Sequence, residues 1–403
     1  MNLVVISSKR CWHAPSSPSG FTTDGGFPMQ MRALSQLFDH TTLVVPCLPA
    51  GPDAASTPLV GHNMSVVAMT YPRGRGWRRK LDFPFWLVRN LPVVVRELLR
   101  ADAIHAPIPG DVGTVGMMLA VLLRKPLFVR HCGNWLAPST SVERFWKWFM
   151  ETFAGGRNLM LATGGSDRAP SQRNSEVRWI FSTSLTGQQL QECSAGCVPE
   201  TKRRTRLIIT CRQERLKGTG LILESLSLLK RDFPEIAFDV VGDGTDLSWF
   251  KQRASELQVQ DRVRFHGNVD HASVMRLLKE ADLFVFPSRS SEGFPKAVLE
   301  ALACGLPVVT TPVSVLPQLI RRGCGRILAE TTPEALAASV KECLEDPIRY
   351  QAMSRSALET AQVYSLEGWR DTIGGLLTPA WGRLKSGPPD PATQEVSTVV
   401  AKL

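Results

Sequence analysis

Leu283-Phe284-Val285-Phe286-Pro287-Ser288-Arg289-Ser290-Ser291-Glu292-Gly293-Phe294-Pro295-Lys296-Ala297-Val298-Leu299-Glu300 reads as a strand, a polar loop and an apolar helix that runs on to Cys304. A short unbroken apolar run bounded by turn residues suits a strand covered on both faces, and the change of period after it marks the strand-to-helix step of a parallel α/β sheet. One carboxylate, Glu292, stands at the mouth of the loop. The other, Glu300, lies inside the helix among Val298, Leu299, Ala301 and Leu302.

Working outward, the same alternation runs through the chain. In the second half strands are expected at 207–210, 238–241, 263–266, 283–286, 308–310 and 326–328, with helices near 220–231, 247–257, 273–281, 295–303 and 316–322. In the first half they are expected at 3–7, 41–45, 66–69, 103–105, 127–130, 159–162 and 177–180, with helices that include 29–38, 116–123 and 142–153. The pattern breaks near 188–205, where Cys193-Ser194-Ala195-Gly196-Cys197-Val198-Pro199 and the basic Lys202-Arg203-Arg204 lie. The expected organisation is a first domain over 1–190, a linker over 191–205 and a second domain over 206–363. A helix over 364–378 returns to the first domain, and a mobile tail rich in Pro, Ser and Thr covers 379–403. The fold class is α/β, with two Rossmann-like parallel-sheet domains facing a central cleft, because open parallel sheets bind ligands at the C-terminal ends of their strands.

The 403 residues are 43% hydrophobic and 21% charged, which is ordinary for a globular chain of two domains. Nine cysteines form no CxxC pair and accompany no histidine cluster at zinc spacing, so reduced thiols are expected. No apolar stretch reaches the length of a membrane span, and the N-terminus reads as a first buried strand rather than a signal peptide. A net charge of +10 and a pI near 9.3 favour an anionic partner. No nucleic-acid module is recognisable.

A second junction resembles the first. The strand at 207–210 is followed by Cys211-Arg212-Gln213-Glu214-Arg215-Leu216-Lys217-Gly218-Thr219-Gly220 and a helix. A helix N-terminus with a bidentate guanidinium and a compact ammonium suits a diphosphate, although the same residues also fit a solvated basic loop. At 293–300, Gly293 lets backbone approach a ligand, Pro295 suits a first helical turn, Glu300 can accept from a ribose diol and Glu292 from sugar hydroxyls. The plain alternative is two surface glutamates. Eight helical residues rise roughly 12 Å, too far for the two carboxyls of a glycoside hydrolase. Gly242-Asp243-Gly244 and Gly267-Asn268-Val269 end two further strands, where small residues leave room for a nucleotide and backbone can meet a base. In the first half, Gly25-Gly26 precede a helix and permit close approach of a phosphate or hydroxyl. His131 ends a strand and is read either as a polar ligand group or as a structural histidine. No GxGxxG follows the first strand, which counts against a dinucleotide oxidoreductase. Together the two junctions imply a pocket for a sugar carried on a nucleoside diphosphate.

These residues resemble the retaining glycosyltransferases of family four, which have the GT-B fold. Most of the resemblance lies in the second half, at 212–218, 242–244, Gly267, Pro287-Ser288, 292–300 and 303–309. The resemblance implies that Arg212 and Lys217 neutralise the donor diphosphate, that Glu300 holds the ribose and that Glu292 holds the donor sugar. It also implies that backbone from Phe294, Pro295 and Lys296 to Ala297 contacts the donor. Gly25-Gly26 would line the phosphate and acceptor side, and His131 would meet the sugar near the reacting carbon. Configuration is retained, and neither a metal nor a cofactor beyond the nucleotide-sugar co-substrate is implied. The chain departs from the family at Cys211, where Gly is usual, at 313–318, where Gly-Gly then Glu is usual, at 180–185 and at 8–24.

Residues 71–99 crowd basic and aromatic side chains, which suits either an anionic membrane surface or a helix edged by a basic loop. The expected activity is transfer of a sugar to a sugar, lipid-linked or polysaccharide hydroxyl by a cytoplasmic enzyme, peripheral on the cytoplasmic membrane face if the first option holds. The alternatives are a nucleotide-sugar epimerase or phosphorylase of related fold, and a catalytically silent scaffold.

Overall fold

The computed structural model describes residues 1–49, 57–72, 74, 77–133, 135–195, 205–290 and 293–386. The chain divides into two units, Met1–Ser184 with Leu366–Leu403, and Leu185–Ser365.

Unit 1 is built on a parallel sheet of β1 (Asn2–Ile6), β4 (His40–Leu48), β6 (Met64–Met69), β7 (Ala103–Ile108), β8 (Leu127–His131), β9 (Asn158–Thr163) and β10 (Val177–Ile180). Its order is β10-β9-β8-β7-β1-β4, and β6 also pairs with β4. Three short strands extend it beyond β4: β2 (Cys11–His13), β3 (Phe21–Thr23) and β5 (Thr57–Pro58), the last two pairing antiparallel. β2 and β3 fall within 8–24, the stretch that reads as an irregular loop, and none of the three was expected, because two or three residues are too few to show a period.

Alternate residues of the unit 1 sheet face opposite ways. Val4, Ile6, Ile104, Ala106, Leu127, Val129, Met160 and Ala162 form one core with helices α2 (Trp77–Arg100), α3 (Asp111–Leu122) and α4 (Ser141–Phe153). The intervening Phe128 and Arg130 belong to the other side, where α1 (Phe27–Ser35) meets α13 (Leu366–Trp381) and the Arg130 guanidinium lies 5.1 Å from the Trp369 ring. α4 begins with a reciprocal cap in which Thr140 accepts from the Glu143 amide at 3.2 Å and the Glu143 carboxylate accepts from the Thr140 amide at 2.9 Å. α2 runs 24 residues through Pro84 and Pro92, each of which removes one helix donor.

Unit 2 is a six-stranded parallel sheet in the order β13-β12-β11-β14-β15-β16, formed by β11 (Arg206–Thr210), β12 (Ala237–Val241), β13 (Val263–Gly267), β14 (Leu283–Phe286), β15 (Val308–Thr310) and β16 (Gly325–Ile327). Its helices are α5 (Gly187–Ala195), α6 (Thr219–Leu229), α7 (Leu247–Glu256), α8 (His271–Glu280), α9 (Lys296–Ala303), α10 (Leu316–Ile320), α11 (Pro333–Leu344) and α12 (Pro347–Gln362). Asp239, buried in β12, accepts from Arg206 of β11 at 2.5 Å and pairs with His266 of β13 at 2.7 Å, so a buried carboxylate ties three strands together.

Residues 187–195, expected to close the first domain and open a linker, form α5 and pack on α9 and α12 of unit 2. Buried Leu190 and Cys193 supply the reason. The division therefore falls at Ser184/Leu185. Residues 196–204 of the expected linker and 387–403 of the expected tail lie outside the described residues.

Candidate active site

The unit 2 strand order reverses between β11 and β14, and that reversal opens a crevice beyond the carboxyl ends of the strands. A depression of about 350 Å³ lies at this rim. Arg212, Gly242, Asn268, Val269, Ala297 and Glu300, all expected as site residues, line it together. Cys211, Asp243 and His271 line it as well.

The loop after β11 is set by a residue that carries no ligand chemistry. Gln213 is fully buried. Its Nε2 donates to the Cys211 carbonyl at 3.0 Å and its Oε1 accepts from Thr219 Oγ1 at 2.8 Å, while its backbone pairs with Asp243 and Asp246. This pins Arg212 at the rim, where its side chain is 74% exposed and donates to Glu214 at 3.1 Å. Lys217 ends a tight turn over Arg215–Lys217, and Gly218 follows at φ 96°. A Cβ at Gly218 would stand 2.5 Å from the Pro287 carbonyl, and the Arg289 amide donates to the Leu216 carbonyl at 2.7 Å. The Lys217 turn is thus locked to the loop after β14.

Two expected glycines have a different reason from the one anticipated. A Cβ at Gly242 would lie 2.0 Å from the Cys211 carbonyl and one at Gly244 2.4 Å from the Gln213 carbonyl. Their missing side chains make room for the backbone that carries Arg212. Gly267, at φ 67° with open space around it, requires glycine for its backbone angle alone.

The loop after β14 is described at 287–290 and again from Gly293, and Glu292 lies outside the described residues. Pro295 precedes α9 as its N-cap rather than occupying its first turn, and Lys296 is the first helical residue. Phe294 is buried, with its ring 5.4 Å from that of Tyr364, so its side chain serves packing. Glu300 is 13% exposed and its Oε1 lies 3.2 Å from His271 Nε2. The bond to Glu300 raises the His271 pKa above its ordinary value, with burial opposing it. Sequence reasoning passed over His271. Its signal was a histidine directly after the N-capping Asp270, at the rim where Gly267 ends β13.

In unit 1, Gly25 adopts φ 66° and Gly26 precedes α1 without a side-chain cap. The Lys9 ammonium, paired with Asp24, stands 3.9 Å from where a Gly25 Cβ would be. His131 ends β8 and is buried, its ring edge-on to Trp135 and Trp146 with centroids at 5.6 and 6.1 Å. Burial pushes its pKa down to about 4, so it is neutral near pH 7.

Comparison with known proteins places this geometry. Residues 199–360 match the family described as Glycosyl transferases group 1. The glycogen synthase of Mycobacterium tuberculosis is 33% identical over 192 residues, 46% of this chain and 46% of that protein. A GDP-mannose-dependent alpha-(1-6)-phosphatidylinositol monomannoside mannosyltransferase of Mycolicibacterium smegmatis is 29% identical over 161 residues, 38% of this chain and 41% of that protein. The chain thus spans less than half the length of either relative. The crystal structure of HepE from Anabaena in complex with UDP superposes on 94% of this chain and 100% of that one, with a TM-score of 0.68 at 17% identity. The match to the group 1 glycosyl transferases falls within unit 2, and the two parallel-sheet units carry the GT-B fold.

Proposed function

We propose that the chain transfers a sugar from a nucleoside-diphosphate donor to a hydroxyl acceptor with retention of anomeric configuration. The observation that carries this reading is the rim of the unit 2 sheet, where Arg212 and the Glu300–His271 pair line one depression at the strand-order reversal. The nucleoside lies along Asn268 and Val269 with its ribose diol on Glu300. The diphosphate meets Arg212 and Lys217, and the sugar meets the 292–297 loop. As the bond from the anomeric carbon to the diphosphate oxygen breaks, the two fixed cations stabilise the growing negative charge. The acceptor oxygen bonds to that carbon on the face the diphosphate is leaving, and the departing phosphate oxygen takes the acceptor proton. Electrons balance without any further reagent, and no separate base is required.

The acceptor is a lipid-linked sugar or another glycoconjugate, and the enzyme works on the cytoplasmic face of an anionic membrane. Support comes from α2. Leu81, Phe85 and Val88, spaced by four and three, are 63%, 78% and 73% exposed, and exposed Arg78, Arg89, Arg96 and Arg100 share the helix. Arg79, counted among the basic residues of this segment, is instead committed to Asp111 at 2.9 Å and to the Tyr71 hydroxyl at 3.2 Å.

The test is calorimetry with UDP, GDP and ADP, followed by turnover of the matching donor sugar. One nucleotide is expected to bind, and Lys217→Ala is expected to lower kcat about 100-fold or more. Wild-type turnover in that variant removes the diphosphate assignment. Turnover that proceeds without any acceptor points to an epimerase, and binding without turnover points to a scaffold.

A further inference from the structure

His271 opens α8 directly after Asp270, whose side chain caps the helix by accepting from the Ser273 amide at 2.7 Å. Its Nε2 reaches across to Glu300 Oε1 on α9, and both residues line the same depression beside Asn268 and Val269. A glutamate has three torsions to fix before it can accept from two neighbouring hydroxyls. A partner that holds one oxygen in place removes that ordering cost from the binding step. α8 and α9 are separate helices in contact, so the histidine also ties the loop that follows β13 to the helix that follows β14.

We propose that His271 is the positioning residue for Glu300, donating from Nε2 to hold the carboxylate in register for the ribose diol of a nucleoside diphosphate before the donor arrives. This rests on the reading of the depression as the donor site. The groups that face His271 are Glu300 from α9, Asp270 from its own helix cap and the Cys193 thiol from α5. Arg212 and Asp243 line the same depression beyond β11 and β12. The Glu300 contact raises the histidine's pKa, against burial, so the imidazolium–carboxylate pair is favoured at lower pH and loses its charge as pH rises through that value.

The donor nucleotide's affinity and the steady-state constants would be measured from pH 5.5 to 8.5 for the wild type, His271→Ala and His271→Gln. His271→Ala is expected to raise Kd and donor KM on the order of tenfold, the worth of one hydrogen bond to a charged group. The effect should fall on KM rather than kcat, because the ribose is held alike in ground and transition states. His271→Gln keeps an N–H donor and is expected to recover most of the affinity, but without the wild-type weakening at high pH. Wild-type affinity in His271→Ala overturns this inference alone, as does a loss confined to kcat or a glutamine variant that keeps the pH slope. A wild-type protein that binds none of UDP, GDP or ADP overturns the donor-site reading and this inference together.

Discussion

Gly242 shows how closely the site depends on backbone. It adopts φ 114°, and the space a Cβ would take is filled by the Cys211 carbonyl. Gly242→Ala therefore forces both a strained angle and a displacement of the loop that carries Arg212, at a cost of about 2 kcal/mol or more. The expected outcome is a lower melting transition for unit 2 together with weakened nucleotide binding; an alanine variant with wild-type melting would mean that the loop yields freely. At this scale the sequence was partly legible. Glu300 stood out because a carboxylate inside an apolar helical run has few structural excuses. Arg212 and the glycines stood out through their places at strand ends. His271 and Gln213 did not, since a lone histidine or glutamine has no periodic signature and its partners, Glu300 and Thr219, become neighbours only after folding.

Among the elements, the parallel strands were legible as short apolar runs, of which β7, β8, β14 and β15 are buried along their whole length, and all thirteen expected strand positions fall on observed strands. α2 was the least legible. Residues 71–99 read equally as a membrane-surface segment or as a helix edged by a basic loop, and the helix runs through Pro84 and Pro92 with Trp86, Val94 and Leu98 on its inner side anchored in the unit 1 core. Its outer side carries Leu81, Phe85 and Val88, and the membrane reading predicts that this stripe inserts among lipid chains. Leu81→Ser with Phe85→Ser is expected to abolish co-sedimentation with vesicles containing anionic lipid, with melting unchanged because both positions face solvent. Equal sedimentation of the double variant and the wild type removes the membrane from the proposal.

For the whole molecule, the informative feature is that unit 1 is completed by α13 from the far end of the described chain. Trp369, Ile373 and Leu377 are fully buried there, and the Trp369 ring stacks beneath buried Arg130. Trp369→Ala leaves a large cavity and strips the guanidinium of its aromatic neighbour, which is expected to cost about 3–5 kcal/mol. Unit 1 should then melt earlier while nucleotide binding by unit 2 persists; simultaneous loss of both would show that the units do not unfold separately. The two-unit α/β plan was legible from alternation alone. The point where the chain enters unit 2 was not, because α5 has only a few buried residues and shows no strong period.

The passage of the chain out of unit 1 after Ser184 and back at Leu366 also has a consequence for biosynthesis. Unit 2 is one continuous segment, so every residue it packs has been synthesised before α13 is made. The described strands of unit 1 are synthesised first, yet their outer face stays uncovered at Trp369 until the whole of the other unit has been translated, an interval of roughly 10–40 s at common elongation rates. The half that is synthesised first is therefore finished last. During that interval its bare face is the part of the nascent chain that a chaperone would find.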